Sequence, residues 1–215
     1  MNNLNEIAEA IRANMENINA ARDKAIVQSR ELIRYCSECI RAIHRSEWDD
    51  VVEKLKTVQA RADELQAVVK DYPELYHSGY MQDALKEVVE AYTTYAIIHN
   101  HPLPTKAELN VEGSTYLLGL GEAATELRRF ILDIMRQSGG NIEEAERLLE
   151  WMDDIYGQLI TFDFPDALTH GLRRQTDIVR GVLERTRGDL TTTLQQQRLH
   201  NALKEFEERM NNNNT

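Results

Sequence analysis

The chain has 215 residues, 42% apolar and 28% charged, which suits one generous folded domain. Its apolar residues recur too regularly for a disordered chain, and its 10 Gly and 4 Pro are too few for a turn-rich sandwich or barrel. The net charge of −11 excludes a surface coated in positive potential, although a nucleic-acid footprint is local and survives that total.

The opening, MNNLNEIAEAIRANMEN, carries neither the basic region nor the apolar core of a signal peptide. No stretch approaches the roughly 20 apolar residues of a membrane span, so a cytoplasmic protein with no membrane partner is expected. Apolar periodicity then runs from about Leu4 to Ile43 without Pro or Gly, far beyond a usual globular helix. Within it, Cys36 and Cys39 have CxxC spacing. A redox pair needs a strand-to-helix junction and a zinc site needs a second pair of ligands, so two buried small side chains are expected. Ser46-Glu47-Trp48-Asp49 resembles a capping box and opens a second helix to about Lys70. Tyr72-Pro73 breaks it, and a third helix covers Pro73 to Ile98 before Asn100-His101-Pro102-Leu103-Pro104.

Thr105 caps a short helix through Leu109, which Glu112-Gly113 ends. A fourth long helix spans Ser114 to Arg136 and closes at Gly139-Gly140. Asn141 caps the next, which reaches about Ile160 before Phe164-Pro165. The last runs from Pro165 to Arg187, with Gly188 as its stop. The expected fold is all-α: a single domain over residues 1–190, a bundle of about seven helices with a very long first one. Residues 191–215 form a C-terminal extension. There Leu194, Leu199, Leu203, Phe206 and Met210 have near-helical spacing, and Asn211 to Thr215 form a frayed tail.

Between Arg22 and Arg45 six Lys/Arg face three acids, against the acidic balance of the whole. At about 100° per residue, Arg30, Arg34, Arg41 and Arg45 fall within an arc of roughly 60°. Ile26, Ile33, Cys36, Ile40 and Ile43 lie on another face. Joined by His44, this stripe suits a phosphate backbone; the blander alternative is pairing with acids of a neighbouring helix. A second cluster, Arg173, Arg174, Arg180, Arg185 and Arg187, is weaker because Asp166, Asp177, Glu184 and Asp189 offset it.

Glu87 and Glu90 are spaced i,i+3, and Glu122 and Glu126 i,i+4, so each pair projects from one helix face. Each pair reads as lying opposite its helix's main apolar stripe. Like charges at these spacings repel, and hard divalent ions offset the cost through oxygen ligands. Solvated glutamates are the plainer alternative.

The runs Arg41-Ala42-Ile43-His44-Arg45, Glu87-Val88-Val89-Glu90-Ala91, Tyr116-Leu117-Leu118-Gly119-Leu120 and Glu126-Leu127-Arg128-Arg129 together resemble the translin family, in its order. Asp163-Phe164-Pro165 and Arg187-Gly188 fit as well. The resemblance implies an all-α fold, assembly into a homo-oligomer (an octamer), and binding of single-stranded RNA and DNA. It is closest to the translin-associated factor X type, whose four carboxylates bind Mg²⁺ or Mn²⁺ and cleave RNA. Glu87, Glu90, Glu122 and Glu126 match those positions, Glu122 standing where that type commonly has Asp. The compact length and the lack of a basic tail resemble the archaeal branch, built from one kind of subunit.

The resemblance therefore implies a metal-dependent endoribonuclease. Glu87, Glu90, Glu122 and Glu126 would serve as metal ligands and catalytic groups, while Arg30, Arg34, Arg41, His44 and Arg45 hold the strand. The alternatives are a nuclease-inactive binding particle of the translin type, and a helical scaffold whose charges serve only solvation.

Overall fold

The computed structural model describes residues 3–137 and 140–213. The described residues are all-α, in eight helices. They divide into two compact units, Met1–Ala123 and Ala124–Thr215. Among them no helix is long and apolar enough to cross a membrane.

The first unit is built on helices α1 (Leu4–His44), α2 (Trp48–Val69), α3 (Pro73–Tyr76) and α4 (Gly79–Ile98), and on the start of α5 (Gly113–Arg136). In α1 the buried line is Ala25, Ser29, Leu32, Cys36, Cys39 and Ile43, and in α2 it is Val51, Leu55, Val58, Ala62, Leu65 and Val69. Both alternate steps of four and three, the spacing of two helices packed along a coiled-coil seam. The three residues between α1 and α2 make them antiparallel neighbours. Ile26, Ile33 and Ile40, expected on the apolar face of α1, lie only at the margin of that seam. Cys36 and Cys39 are buried in it as free thiols, and burial pushes the Cys39 thiol up to about 12. Both stay protonated and unreactive.

The expected capping box at Ser46 does not form. Ser46 instead has a left-handed φ of 57°. Its N–H donates to Ile43 O at 3.0 Å and that of Glu47 to Ala42 O at 3.1 Å, which closes the end of α1 in a Schellman turn. The residue is spent on ending one helix and cannot cap the next. The expected third helix is likewise two, broken where the extended Ser78 sends its hydroxyl back to Leu75 O at 2.6 Å. At Thr105 the cap is present: Glu108 N–H donates to its hydroxyl at 3.2 Å, and the Glu108 carboxylate accepts from its N–H at 2.7 Å. Only one turn follows, because Asn110 takes a left-handed φ of 52°.

The second unit holds the rest of α5 with α6 (Ile142–Leu159), α7 (Asp166–Thr169) and α8 (Leu172–Asn213). Asn141 caps α6 as expected, its side chain accepting from Glu144 N–H at 3.2 Å. Gly139, expected with Gly140 to close α5, lies outside the described residues. A Cβ on Gly140 would collide with the Ile134 carbonyl. Leu148, Met152, Ile155 and Leu159 of α6 are buried, as are Leu172, Val179, Leu183 and Leu190 of α8.

Gly188 is not a stop. The break falls earlier, at His170 and Gly171, both with positive φ, and α8 then continues through Gly188. A glycine inside a helix costs only about 1 kcal/mol, and its neighbours hold this turn. Thr186 and Leu190 are buried, and Arg128 reaches Asp189 at 2.8 Å and the Thr186 hydroxyl at 3.0 Å. The extension is thus the end of α8; Asn214 and Thr215 of the expected tail lie outside the described residues.

A candidate carboxylate metal site

Helix α4 is packed against both α1 and α2, so it is buried on most of its faces. Its glutamates therefore do not lie on a solvated face, as the spacing alone suggested. Glu90 is buried at 8% exposure and Glu87 is half-buried.

Against them comes α5. A Cβ on Gly119 would fall 2.6 Å from the Lys86 carbonyl oxygen and 2.6 Å from Val89 Cβ, so only glycine allows this approach. Three residues on, roughly one helical turn, stands Glu122. Glu87, Glu90 and Glu122 each offer a carboxylate oxygen, and these lie within 4.8 Å of one another. A small cation in octahedral or looser coordination brings its oxygen ligands to such separations. The donor set is all carboxylate, which suits Mg²⁺, Mn²⁺ or Ca²⁺ and not a soft metal. Cys36, though near enough to Glu87 and Glu90 to feel their charge, is held protonated chiefly by burial and is no ligand. Glu126, the fourth expected carboxylate, is not one of the three; it stands four residues further along α5.

One residue of the cluster was not foreseen. Lys86 Nζ lies 2.8 Å from Glu122 Oε1. Burial opposes its charge, but the hydrogen bond and charge of Glu122, with Asp83 and Glu87, outweigh that and raise its pKa. A lysine directly before the first glutamate was the available signal.

The tyrosine-leucine-leucine-glycine run has a structural meaning here. Tyr116 donates its hydroxyl to Pro104 O at 2.7 Å, tying down the loop before α5, and Gly119 sets the helix separation.

Arg30, Arg34 and Arg41 of α1 and Arg45 at its C-terminal cap are all exposed, and His44 is half-buried. Arg34 lies 4.0 Å from Glu38 of its own helix and over the Tyr35 ring. Among the described residues no ion pair engages Arg30, Arg41 or Arg45. The second cluster is partly neutralised: Arg180 pairs with Asp177 at 3.2 Å and Arg187 with Asp153 at 2.7 Å.

Fold and cluster define a class: an all-α protein whose α4–α5 crossing brings three carboxylates together. No family model matches the chain. An uncharacterised protein of Methanocaldococcus jannaschii, MJ0175, is 34% identical over 192 residues, 88% of this chain and 84% of that protein. The crystal structure of AfC3PO is similar at a TM-score of 0.80 and 32% identity, over 86% of this chain and 96% of that one. Its complex with duplex RNA gives 0.75 and 33%, over 86% and 95%. The apo-NeC3PO structure, 22% identical with a TM-score of 0.74 over 90% and 98%, shares the fold. The chain belongs to the translin family.

Proposed function

We propose that the protein is a metal-dependent endoribonuclease of the translin-associated factor X type, acting on single-stranded RNA within a homo-oligomeric cytoplasmic particle. The observation that carries this reading is the approach of Glu87, Glu90 and Glu122 to within 4.8 Å. A bound Mg²⁺ or Mn²⁺ would supply a water of lowered pKa and positive charge beside the phosphodiester. Glu87 and Glu90 from α4 and Glu122 from α5 would hold it. Glu126 is assigned as the fourth carboxylate by the resemblance and by its spacing from Glu122 on α5. A carboxylate not fully engaged with the ion would accept the water proton. Arg30, Arg34, Arg41, His44 and Arg45 would hold the strand by its phosphates, which carries little base specificity. That AfC3PO has been solved with duplex RNA supports RNA as the ligand class.

The second reading is a particle that binds RNA or single-stranded DNA without cutting it. The Lys86–Glu122 ion pair favours it, because an ammonium already sits on one carboxylate. Incubation of the purified chain with labelled single-stranded and duplex RNA, with Mg²⁺ and with chelator, decides. Chelator-sensitive cleavage of the single strand is expected. Binding without cleavage establishes the second reading, and cleavage of the duplex alone overturns the strand preference.

A further inference from the structure

We infer that a cavity between α5 and α8 in the second unit holds a phosphate of the single strand, with Arg129 as its main contact. The inference rests on the RNA-binding reading above and adds to it a phosphate site that uses none of the α1 arginines. The cavity has a volume of about 700 Å³, and Arg128, Arg129 and Arg136 line it together with Thr193. Leu132 and Met135 supply an apolar wall. That volume lies within the roughly 300–1,000 Å³ of small-ligand sites, so a whole nucleotide unit fits and not only an ion.

The three arginines are not equally committed. Arg128 donates to Asp189 at 2.8 Å and to the Thr186 hydroxyl at 3.0 Å, which fixes it against α8. Arg136 stands in the last turn of α5, where it opposes the negative pole of the helix, and lies 3.7 Å from Asp133. Arg129 is exposed and makes no ion pair among the described residues. Glu126, three residues before it, neither pairs with it nor lines the cavity. Setting Asp189 and Asp133 against the three arginines leaves one positive charge, that of Arg129. Helix α8 does not cancel it, since from Leu190 to Lys204 it carries no acid but has Arg198 and Lys204.

The chemistry of these groups selects a phosphate. A guanidinium is a planar fork, weakly hydrated, that meets two phosphate oxygens at once. Thr193 adds a hydroxyl donor. Its neighbours Thr191 and Thr192 turn their hydroxyls back to the carbonyls of Arg187 at 2.7 Å and Gly188 at 2.9 Å, whereas that of Thr193 has no such bond among the described residues. The surplus charge also separates a strand from a free nucleotide. Each phosphodiester of a strand brings one negative charge, equal to the surplus. A phosphate monoester brings about 1.5 to 2 and would leave the cavity negative.

The test is a titration of the full chain with labelled single-stranded RNA at several salt concentrations, with chelator present so that nothing is cut. Arg129→Gln weakens binding roughly threefold to tenfold and flattens the slope of log affinity against log salt by about 0.7. Lys70→Gln makes the same charge change at an exposed lysine outside the cavity and leaves both nearly as in the parent. Arg129→Lys keeps the charge without the fork, so it retains the slope at reduced affinity. Should Arg129→Gln fail to fold, Arg129→Lys against Lys70→Arg gives the same comparison through affinity alone. Equal effects at the two positions, or none at Arg129, overturn the inference and leave RNA binding standing. Displacement of the RNA by equimolar adenosine monophosphate overturns the choice of a strand over a free nucleotide. A parent that binds no RNA overturns both the inference and the reading it rests on.

Discussion

Gly119 and Val89 meet with no room for a methyl group between them: a Cβ on the glycine would lie 2.6 Å from Val89 Cβ. The same Cβ would lie 2.6 Å from the Lys86 carbonyl oxygen, an atom of the main chain that cannot rotate aside. Helices α4 and α5 are as close here as backbones allow. The position of Glu122 against Glu87 and Glu90 follows from that contact.

Gly119→Ala should therefore separate the helices and spread the cluster without altering any carboxylate. Overpacking costs about 1–3 kcal/mol, and the better helix propensity of alanine returns up to about 1 kcal/mol. The expected result is a modest loss in urea unfolding beside a loss of roughly tenfold or more in Mn²⁺ affinity. Parent-like Mn²⁺ binding would show that the separation is not set at this residue.

Glu90 is the most buried of the three carboxylates, and the carboxylates of Glu87 and Glu122 lie beside it. Glu90→Gln keeps its shape and removes one charge. Without metal the variant should be as stable as the parent or slightly more so, because a crowded buried charge has gone. Its melting temperature should no longer rise on adding Mn²⁺, and RNA cleavage should fall by orders of magnitude. If Glu90→Gln is destabilised yet keeps its response to Mn²⁺, the carboxylate is structural.

The long helices were legible in the sequence because their apolar spacing runs for several turns, and Asn141 because a cap is a local signal. Ser46 and Gly188 misled for a shared reason. Each is a residue with more than one use, and tertiary context chose: Ser46 ended α1, and buried neighbours carried α8 past Gly188. The break at Ser78 falls inside the expected third helix, where its hydroxyl bonds back to Leu75 O. Spacing named Glu87, Glu90 and Glu122, but it could not show that α4 and α5 face each other, nor that Glu90 is buried. Lys86 stands directly before Glu87, but nothing in its own sequence position reports a partner on another helix.

The arginine stripe predicts a change in salt dependence. Arg34→Ala combined with Arg41→Ala should weaken single-strand binding about equally for all sequences. The slope of log affinity against log salt should flatten by about 0.7 per lost phosphate contact. Arg34 is partly engaged with Glu38 at 4.0 Å, so Arg41 should carry the larger share. An unchanged slope would assign the stripe to solvation.

Assembly is predicted from the first turns of α1. Leu4, Ile7, Ile11 and Met15 are between 48% and 64% exposed, on a helix whose first buried residue is Ala25. A helical stretch of about 20 residues whose apolar side is exposed among the described residues is marginal alone. Light scattering should give a particle of about 200 kDa, the mass of a closed assembly of eight chains. Ile7→Glu combined with Ile11→Glu should reduce that mass while leaving the helical content intact. A monomeric parent at micromolar concentration would remove the assembly claim.

The last prediction concerns acid. His99 caps α4 and packs its ring between Trp48 at 4.4 Å and Tyr95 at 4.6 Å, with the His101 ring 5.6 Å away. Burial, and then the nearby His101, lower its pKa from the ordinary 6.5. Among the described residues its Nε2 has no hydrogen-bond partner, so a proton there gains no acceptor. Below pH 6.5 the unfolded chain takes up a proton at this residue while the folded chain resists it. The contribution of His99 to stability is thus complete above that value and is lost as pH falls through the lower, folded-state pKa. His99→Phe keeps an aromatic ring against Trp48 and cannot titrate. Urea midpoints measured at pH 7, 6 and 5 should fall less steeply for this variant than for the parent. Parallel slopes would mean that His99 binds its proton equally well folded and unfolded.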